Sequence, residues 1–396
     1  MLESYRRVFA IRGSAAFSAT GILARLPMAM MTLGIVILVS TLTDSYTKAG
    51  QVSAAYVIGN ALVAIPHGRL ADRFGQTVVL YVDAVAFALT TGLLVHSVTA
   101  GWSDPLPHLF AVLAGASMPQ VGSMVRARWA HLVTDEQQRH TAFAVEAVGD
   151  EVVFVTGPSL VTFLSTLYAP QTGLLVALGV GTVGTLLLAA QPRTAPPAHP
   201  THAEHGPDPL GWGRVVPIAI AALALGALFG ALEVSTVAVA EDAGHKAASG
   251  ILLGVFSFGS MVAGVVAGAM HWKSSDLVRF RAGIGILAIA MLALPALDQL
   301  VLLGVVLFFV GLTLAPTLIA VVSLLESSTA KSRLTEAMAV FQTGISAGLA
   351  PGAYVAGVVA DHTHGAATYW VCVGAGALAL AAALACRPAS DQLTGP

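Results

Sequence analysis

The sequence predicts an all-α membrane protein: twelve transmembrane helices in two six-helix bundles. Three observations predict it. Of 396 residues, 56% are hydrophobic and only 10% charged, against about 25% charged in an ordinary soluble domain. Apolar runs long enough to cross a hydrocarbon core, about 20 residues each, recur along the whole chain. The basic residues between those runs fall almost entirely on alternate loops.

The first run, Ser14–Leu42, has about twice the apolar length of a signal-peptide core and no evident cleavage site, so it reads as a span. Val52–His67, Val78–Ser97, Leu106–Val125, Thr141–Leu167 and Thr172–Ala190 complete the first set. The second set is Val215–Ala240, Gly250–His271, Ala282–Leu297, Leu300–Leu325, Thr335–Ala360 and Ala367–Ala385. The expected division is therefore a bundle over 1–190, a linker over 191–213 and a second bundle over 214–396. Six prolines from Pro192 to Pro209 cannot pack a core and make the middle segment a flexible linker. His199, His202 and His205 lie in it, but a Pro-rich loop lacks the rigid second shell of a metal site, so no metal is expected.

With the N-terminus cytoplasmic, sixteen of the nineteen Lys and Arg fall on the cytoplasmic side. Lys48 and Lys246 fall outside, and Arg25 lies within a span. This is the positive-inside bias, and it predicts a multi-pass protein with both termini cytoplasmic. Trp102, Trp212, Trp272 and Trp370 sit near span ends, where aromatic belts form. Cys372 and Cys386 are fourteen positions apart around the last span, roughly 21 Å along a helix and beyond disulfide reach. A net charge of −2 gives no reason to expect a nucleic-acid partner.

Within this plain background, Gly68-Arg69-Leu70-Ala71-Asp72-Arg73-Phe74-Gly75-Gln76 stands out as a doubly basic loop between the second and third runs. Confined between two spans, such a loop is expected to staple them together at the cytoplasmic face and lock one conformation. Glycines recur at spacing four in the eleventh run (Gly344, Gly348, Gly352), and Ser260, Gly264 and Gly268 repeat that spacing in the eighth. Both stripes suit close helix contact.

Ionisable groups at membrane depth are costly and mark function. Arg25 lies about eleven residues into the first run, near 16 Å deep by helix rise. Glu151 lies about as deep in the fifth, with Asp150 beside it, so an Arg25–Glu151 pair is expected. Adjacent residues point about 100° apart on a helix, so Asp150 and Glu151 cannot both face one cavity. Glu233 is the deep acid of the second half. Glu146 and Asp83 are expected to be structural, with Asp83 anchoring the charges at the cytoplasmic end. His67, His96 and His271, at run ends, are expected to be interfacial.

The six-plus-six arrangement resembles the major facilitator superfamily over the whole chain. The Gly68–Gln76 segment resembles that family's signature after span two, with Gly68, Leu70, Asp72, Arg73, Gly75 and Leu80 in place. Gln76 and Thr77 depart from the usual basic residues. Weak echoes between halves, Arg139-His140-Thr141 with Arg333-Leu334-Thr335 and Gly157-Pro158 with Ala350-Pro351-Gly352, fit parallel six-span repeats. The resemblance implies a conformational gate formed by Gly68, Asp72, Arg73, Gly75, Arg126 and Arg128, in which Asp72 sits beside a helix N-terminus, where a carboxylate is favoured, with Arg126 and Arg128 as its expected partners. Gly149, Gly157 and Pro158 resemble the glycine-proline motif of exporters in span five, although Val153, Val161 and Thr162 stand where more glycines are usual. The basic residue that many relatives carry within span four is absent from Ala111–Met118.

The function these features imply is secondary active transport of a small organic solute by alternating access, as drug-type or small-solute proton antiport. Arg25, Asp150, Glu151 and Glu233 form the expected substrate and proton pathway. The alternatives are a proton-coupled importer and a transporter-like sensor, the latter needing a soluble signalling domain that these lengths do not accommodate. No enzyme is expected: Gly344-Ile345-Ser346-Ala347-Gly348 matches G-x-S-x-G, but that motif needs a strand-to-helix turn and here lies within an apolar helix. No P-loop occurs. The expected partners are solute, protons and a lipid bilayer, with no cofactor and a monomeric state. The expected location is the cytoplasmic (inner) membrane.

Overall fold

The computed structural model describes residues 2–198, 212–269, 274–328 and 334–386, and these fold as helices without a strand. A short helix α1 (Leu2–Phe9) precedes α2 (Ser14–Thr43), α3 (Tyr46–Phe74), α4 (Gln76–Thr99), α5 (Leu106–Ala116), α6 (Val121–Leu132), α7 (Glu136–Leu167) and α8 (Thr172–Ala189). Then come α9 (Trp212–Asp242), α10 (Ala248–Ala269), α11 (Asp276–Met291), α12 (Leu300–Ser328), α13 (Leu334–His362) and α14 (Tyr369–Ala385). Among the described residues, ten segments are by themselves long and apolar enough to cross a membrane. α3, with charged residues at both ends, and the α5–α6 pair complete twelve.

Two local expectations need correction. The segment Gly68–Gly75 is no loop: α3 runs through it to Phe74, and α4 begins at Gln76. Leu70, Ala71, Arg73 and Phe74 leave helical geometry intact, and only Gly75, at φ 84°, makes the reversal. That conformation costs little without a Cβ. The fourth span is broken at residues 117–120 and resumes as α6, so Arg126 and Arg128 lie within a helix rather than after one. Pro119 has no N–H to donate and disfavours helical geometry at Met118. The chain also folds before its first span, where hydropathy marks nothing: α1 is a helix of just over two turns.

The contacts divide the chain into two compact units. Unit 1 takes residues up to Leu42 and, from Ala55, the remainder of α3 through α8. Its core gathers Val8, Phe17, Leu80, Val121, Val125, Trp129 and Leu188, with Phe17 edge-on to Trp129 at 4.7 Å between ring centroids. α3 and α5 meet at backbone distance. A Cβ on Gly59 would lie 2.0 Å from the Val112 carbonyl oxygen, and one on Gly115 would lie 1.9 Å from that of Tyr56.

Unit 2 takes residues 43–54 and the second half of the chain. α9 and α13 interlock through reciprocal glycines. A Cβ on Gly348 would come within 1.9 Å of the Leu223 carbonyl oxygen, and one on Gly226 within 1.9 Å of that of Ile345. Gly352 and Gly230 repeat the arrangement one turn on, against Ala227 and Leu349. α10 and α12 meet through Gly259 and Gly311. Of the expected Ser260–Gly264–Gly268 stripe, Gly264 lies against Ala315 (3.2 Å from a Cβ placed there) and Ser260 against Gly311, while the surroundings of Gly268 lie outside the described residues. The start of α3 is capped within unit 2: Asp361 accepts from the backbone N–H of Tyr46 (2.5 Å) and of Thr47 (2.7 Å) and from Ser45 Oγ (2.9 Å). Large apolar side chains such as Leu62, Val265, Ile289 and Val301 face outward, where a water-soluble fold would have placed polar groups.

Candidate functional site

Four charges converge inside unit 1. Arg25, in α2, is buried, and all its guanidinium nitrogens are engaged. Nε donates to the Gly21 carbonyl at 3.0 Å, Nη1 to Asp150 Oδ1 at 2.6 Å and Nη2 to Glu146 Oε2. Glu146 is wholly buried, and its other oxygen accepts from Ser18 Oγ (2.6 Å) and from Trp129 Nε1 (2.8 Å). Asp150 Oδ2 accepts from Arg126 Nη2 at 2.6 Å, and Arg126 Nη1 donates to the Gly122 carbonyl. Two arginines thus face two carboxylates, and the quartet is electrically neutral.

Local sequence explains the geometry. Glu146 and Asp150 are one turn apart on α7, so both carboxylates point to the same side. Gly149, between them, lets α2 approach; a Cβ there would lie 3.2 Å from Ile22 and 3.7 Å from Arg25 Nη2. Gly157 does the same two turns on against Ala29, and Pro158 is buried beside it.

This corrects the expected Arg25–Glu151 pair. Arg25 does meet α7, as depth along the two helices requires, but at a different azimuth. Glu151 is half-buried about 100° round the helix from Asp150. Glu146, expected to be merely structural, holds Arg25. Glu233 is half-buried on α9, in unit 2.

The arginines expected to face Asp72 also have other partners. Arg126 belongs to the quartet. Arg128, with no exposed surface, donates from Nε to Gln76 Oε1 at 2.9 Å, and from Nη1 to Thr194 Oγ1 (2.8 Å) and the Gln191 carbonyl (3.0 Å). Gln76 in turn donates to the Met124 carbonyl at 3.1 Å. The departure at Gln76 is thereby explained: a neutral acceptor suits a buried guanidinium, where a second basic residue would repel it. The Asp72 side chain lies outside the described residues, as do His199, His202, His205 and His271. Arg73 is exposed, its guanidinium 5.2 Å from the Phe74 ring. A Cβ at Gly68 would meet nothing within 4 Å. Asp83 is bound by His67, and His67 is buried rather than interfacial. Trp129, Ser18, Gln191 and Thr194 join these networks unannounced, since nothing in their spacing distinguishes them from packing residues.

Residues 17–331 match the family model of the Major Facilitator Superfamily. No curated protein sequence matches the chain. Among solved structures, a mutant of the nucleoside transporter NupG is similar at a TM-score of 0.74 and 15% identity, covering 95% of this chain and 100% of that one. A D-xylose-proton symporter is similar at 0.71 and 16%, covering 93% and 96%. A bacterial homologue of the iron transporter ferroportin, in an inward-facing state, is similar at 0.65 and 14%, covering 93% and 98%. At such identities the likeness is one of fold.

Proposed function

The chain belongs to the Major Facilitator Superfamily, and on that premise we propose that it moves a small organic solute across the cytoplasmic membrane, both termini inside, in exchange for protons. The observation that carries the reading is the neutral quartet with a further acid beside it. Arg25, Arg126, Glu146 and Asp150 balance one another and need no proton to stay neutral. Glu151 adds a charge with no cation among its described ion-pair contacts, and an uncompensated charge at that depth costs about 2.5–3.5 kcal/mol on the mildest insertion scale. A proton on Glu151 removes that cost.

Glu151 is accordingly the proton carrier, and the quartet is the frame that fixes its level against α2. Asp150, held by two arginines, is the reserve candidate, as is Glu233 in the second half. Asp72, Arg73 and the Gly75 reversal form the gate that biases exchange between states. The span-five residues Gly149, Gly157 and Pro158 favour export over import. Proton symport is the second reading, since the fold is shared with a xylose-proton symporter.

Purified protein in vesicles with an imposed pH gradient, tested against a panel of small organic compounds, decides the matter. The reading expects a solute driven uphill as protons run down their gradient in the opposite direction. Movement in the same direction as protons establishes symport, and flux indifferent to the gradient overturns proton coupling.

A further inference from the structure

The reversal at Gly75 makes α3 and α4 a helical hairpin, and His67 and Asp83 lie eight residues before and eight residues after it. Equal spacing sets both about 12 Å from the turn. There His67 Nε2 and Asp83 Oδ1 meet at 2.9 Å, and both side chains are more than nine-tenths buried. Their other polar atoms, His67 Nδ1 and Asp83 Oδ2, are buried without a hydrogen-bond partner. Buried polar groups are rarely left so, and each such exception calls for an explanation.

We propose that His67 and Asp83 form a proton-binding site, separate from the Arg25 quartet, that ties the α3–α4 hairpin according to pH. The argument is one of charge. With a neutral imidazole the pair holds a lone buried carboxylate, which is expensive. One added proton, taken on the free imidazole nitrogen while the other N–H donates to Oδ1, turns it into a neutral imidazolium–carboxylate pair. The same proton makes the donor cationic as well, adding a direct ion-pair attraction to a hydrogen bond whose acceptor was already charged. Proton binding therefore tightens the hairpin that carries Gly68–Gly75, and proton release loosens it.

No other described cation takes the imidazole's place. Of the helices packed on the hairpin, α8 has no ionisable residue and α5 has only His108, beside Asp104 at its far end. α2 has only Arg25, bound to Glu146 and Asp150. α6 contributes Arg126, held by Asp150, Arg128, held by Gln76, Gln191 and Thr194, and the exposed His131. On the hairpin itself Arg69, Arg73 and Tyr81 are exposed, Asp72 lies one turn beyond His67, and Lys48, Tyr56 and His96 lie toward the opposite end, as do Asp361 of α13 and Glu241 of α9, which bond the start of α3.

The test reads the proton directly. The full chain, with its twelve histidines labelled with nitrogen-15, is placed in lipid nanodiscs and its ring nitrogens are followed by NMR from pH 5 to 9. His67 is the signal lost in His67→Gln. It is expected to pass from one to two protonated nitrogens within this range, and Asp83→Asn is expected to weaken its proton affinity at least about tenfold. A His67 that keeps one protonation state from pH 5 to 9, or an affinity changed less than about twofold, overturns the site. If His67→Gln fails to fold, the histidine whose titration moves in Asp83→Asn identifies His67; if none moves, the proposal is overturned. No solute enters the measurement, so it stands or falls apart from the transport reading.

Discussion

Replacing Glu146 by glutamine isolates the energetic role of the quartet. The isosteric amide keeps an oxygen for Ser18 Oγ and Trp129 Nε1, both of which reach Oε1. Its NH₂ group then faces Arg25 Nη2, so a charge-assisted hydrogen bond becomes a donor–donor contact. Arg25 retains Asp150, which it shares with Arg126, so two positive charges are left on one carboxylate. Breaking one partner of a buried ion pair costs about 3–5 kcal/mol. At about 2–4 °C per kcal/mol for a domain the size of unit 1, the melting temperature of detergent-solubilised protein falls by about 6–20 °C. Glu151→Gln breaks no described ion pair and removes a charge that nothing described compensates, so it is expected not to lower the melting temperature. A Glu146→Gln protein that melts within about 2 °C of wild type would refute the reasoning, as would equal losses for Glu146→Gln and Glu151→Gln.

The other expectations concern packing and the gate. Gly348→Ala drives a methyl group onto the Leu223 carbonyl oxygen, which a Cβ would meet at 1.9 Å; overpacking of this kind costs about 1–3 kcal/mol, read as a lower melting temperature, whereas Gly68→Ala, in open space within helix α3, is expected to stabilise by about 0.5–1 kcal/mol. Gln76→Arg sets a second guanidinium against the buried Arg128, and a loss of monodisperse protein on size-exclusion chromatography is the expected outcome. Asp361→Ala removes the acceptor for two backbone N–H groups at the start of α3 and is expected to destabilise by about 1–2 kcal/mol, in line with lost helix caps. Asp72→Asn is expected to slow solute flux while melting as wild type does, since it changes charge and keeps shape; wild-type turnover removes Asp72 from the gate.

The span count is legible because crossing a hydrocarbon core demands a long apolar run, and that demand is written in composition. Break points are harder. Pro119 signals an interrupted fourth span, yet hydropathy alone ends that run at Val125 and puts Arg126 and Arg128 outside a helix that contains them. Depth along α2 and α7 is legible from helix rise, and it brings Arg25 to span five. Partner choice needs azimuth. The four-residue spacing of Glu146 and Asp150 carries that signal, since a guanidinium that serves two carboxylates needs both on one face. The glycine stripe of α13 is readable, whereas its counterparts Gly226 and Gly230 are not, because sequence alone does not say which helices face each other. Gln191 and Thr194 reach Arg128 from a 3₁₀ turn that no periodicity announces.

Proton-driven solute movement by Glu151→Gln in reconstituted vesicles tests the account most directly. The variant cannot titrate at that position, while Arg25, Arg126, Glu146 and Asp150 keep their contacts. It is expected to bind solute and to support solute–solute exchange at the wild-type rate, while uphill transport driven by a pH gradient is lost. Uphill transport at the wild-type rate would contradict the assignment of Glu151 as the proton carrier.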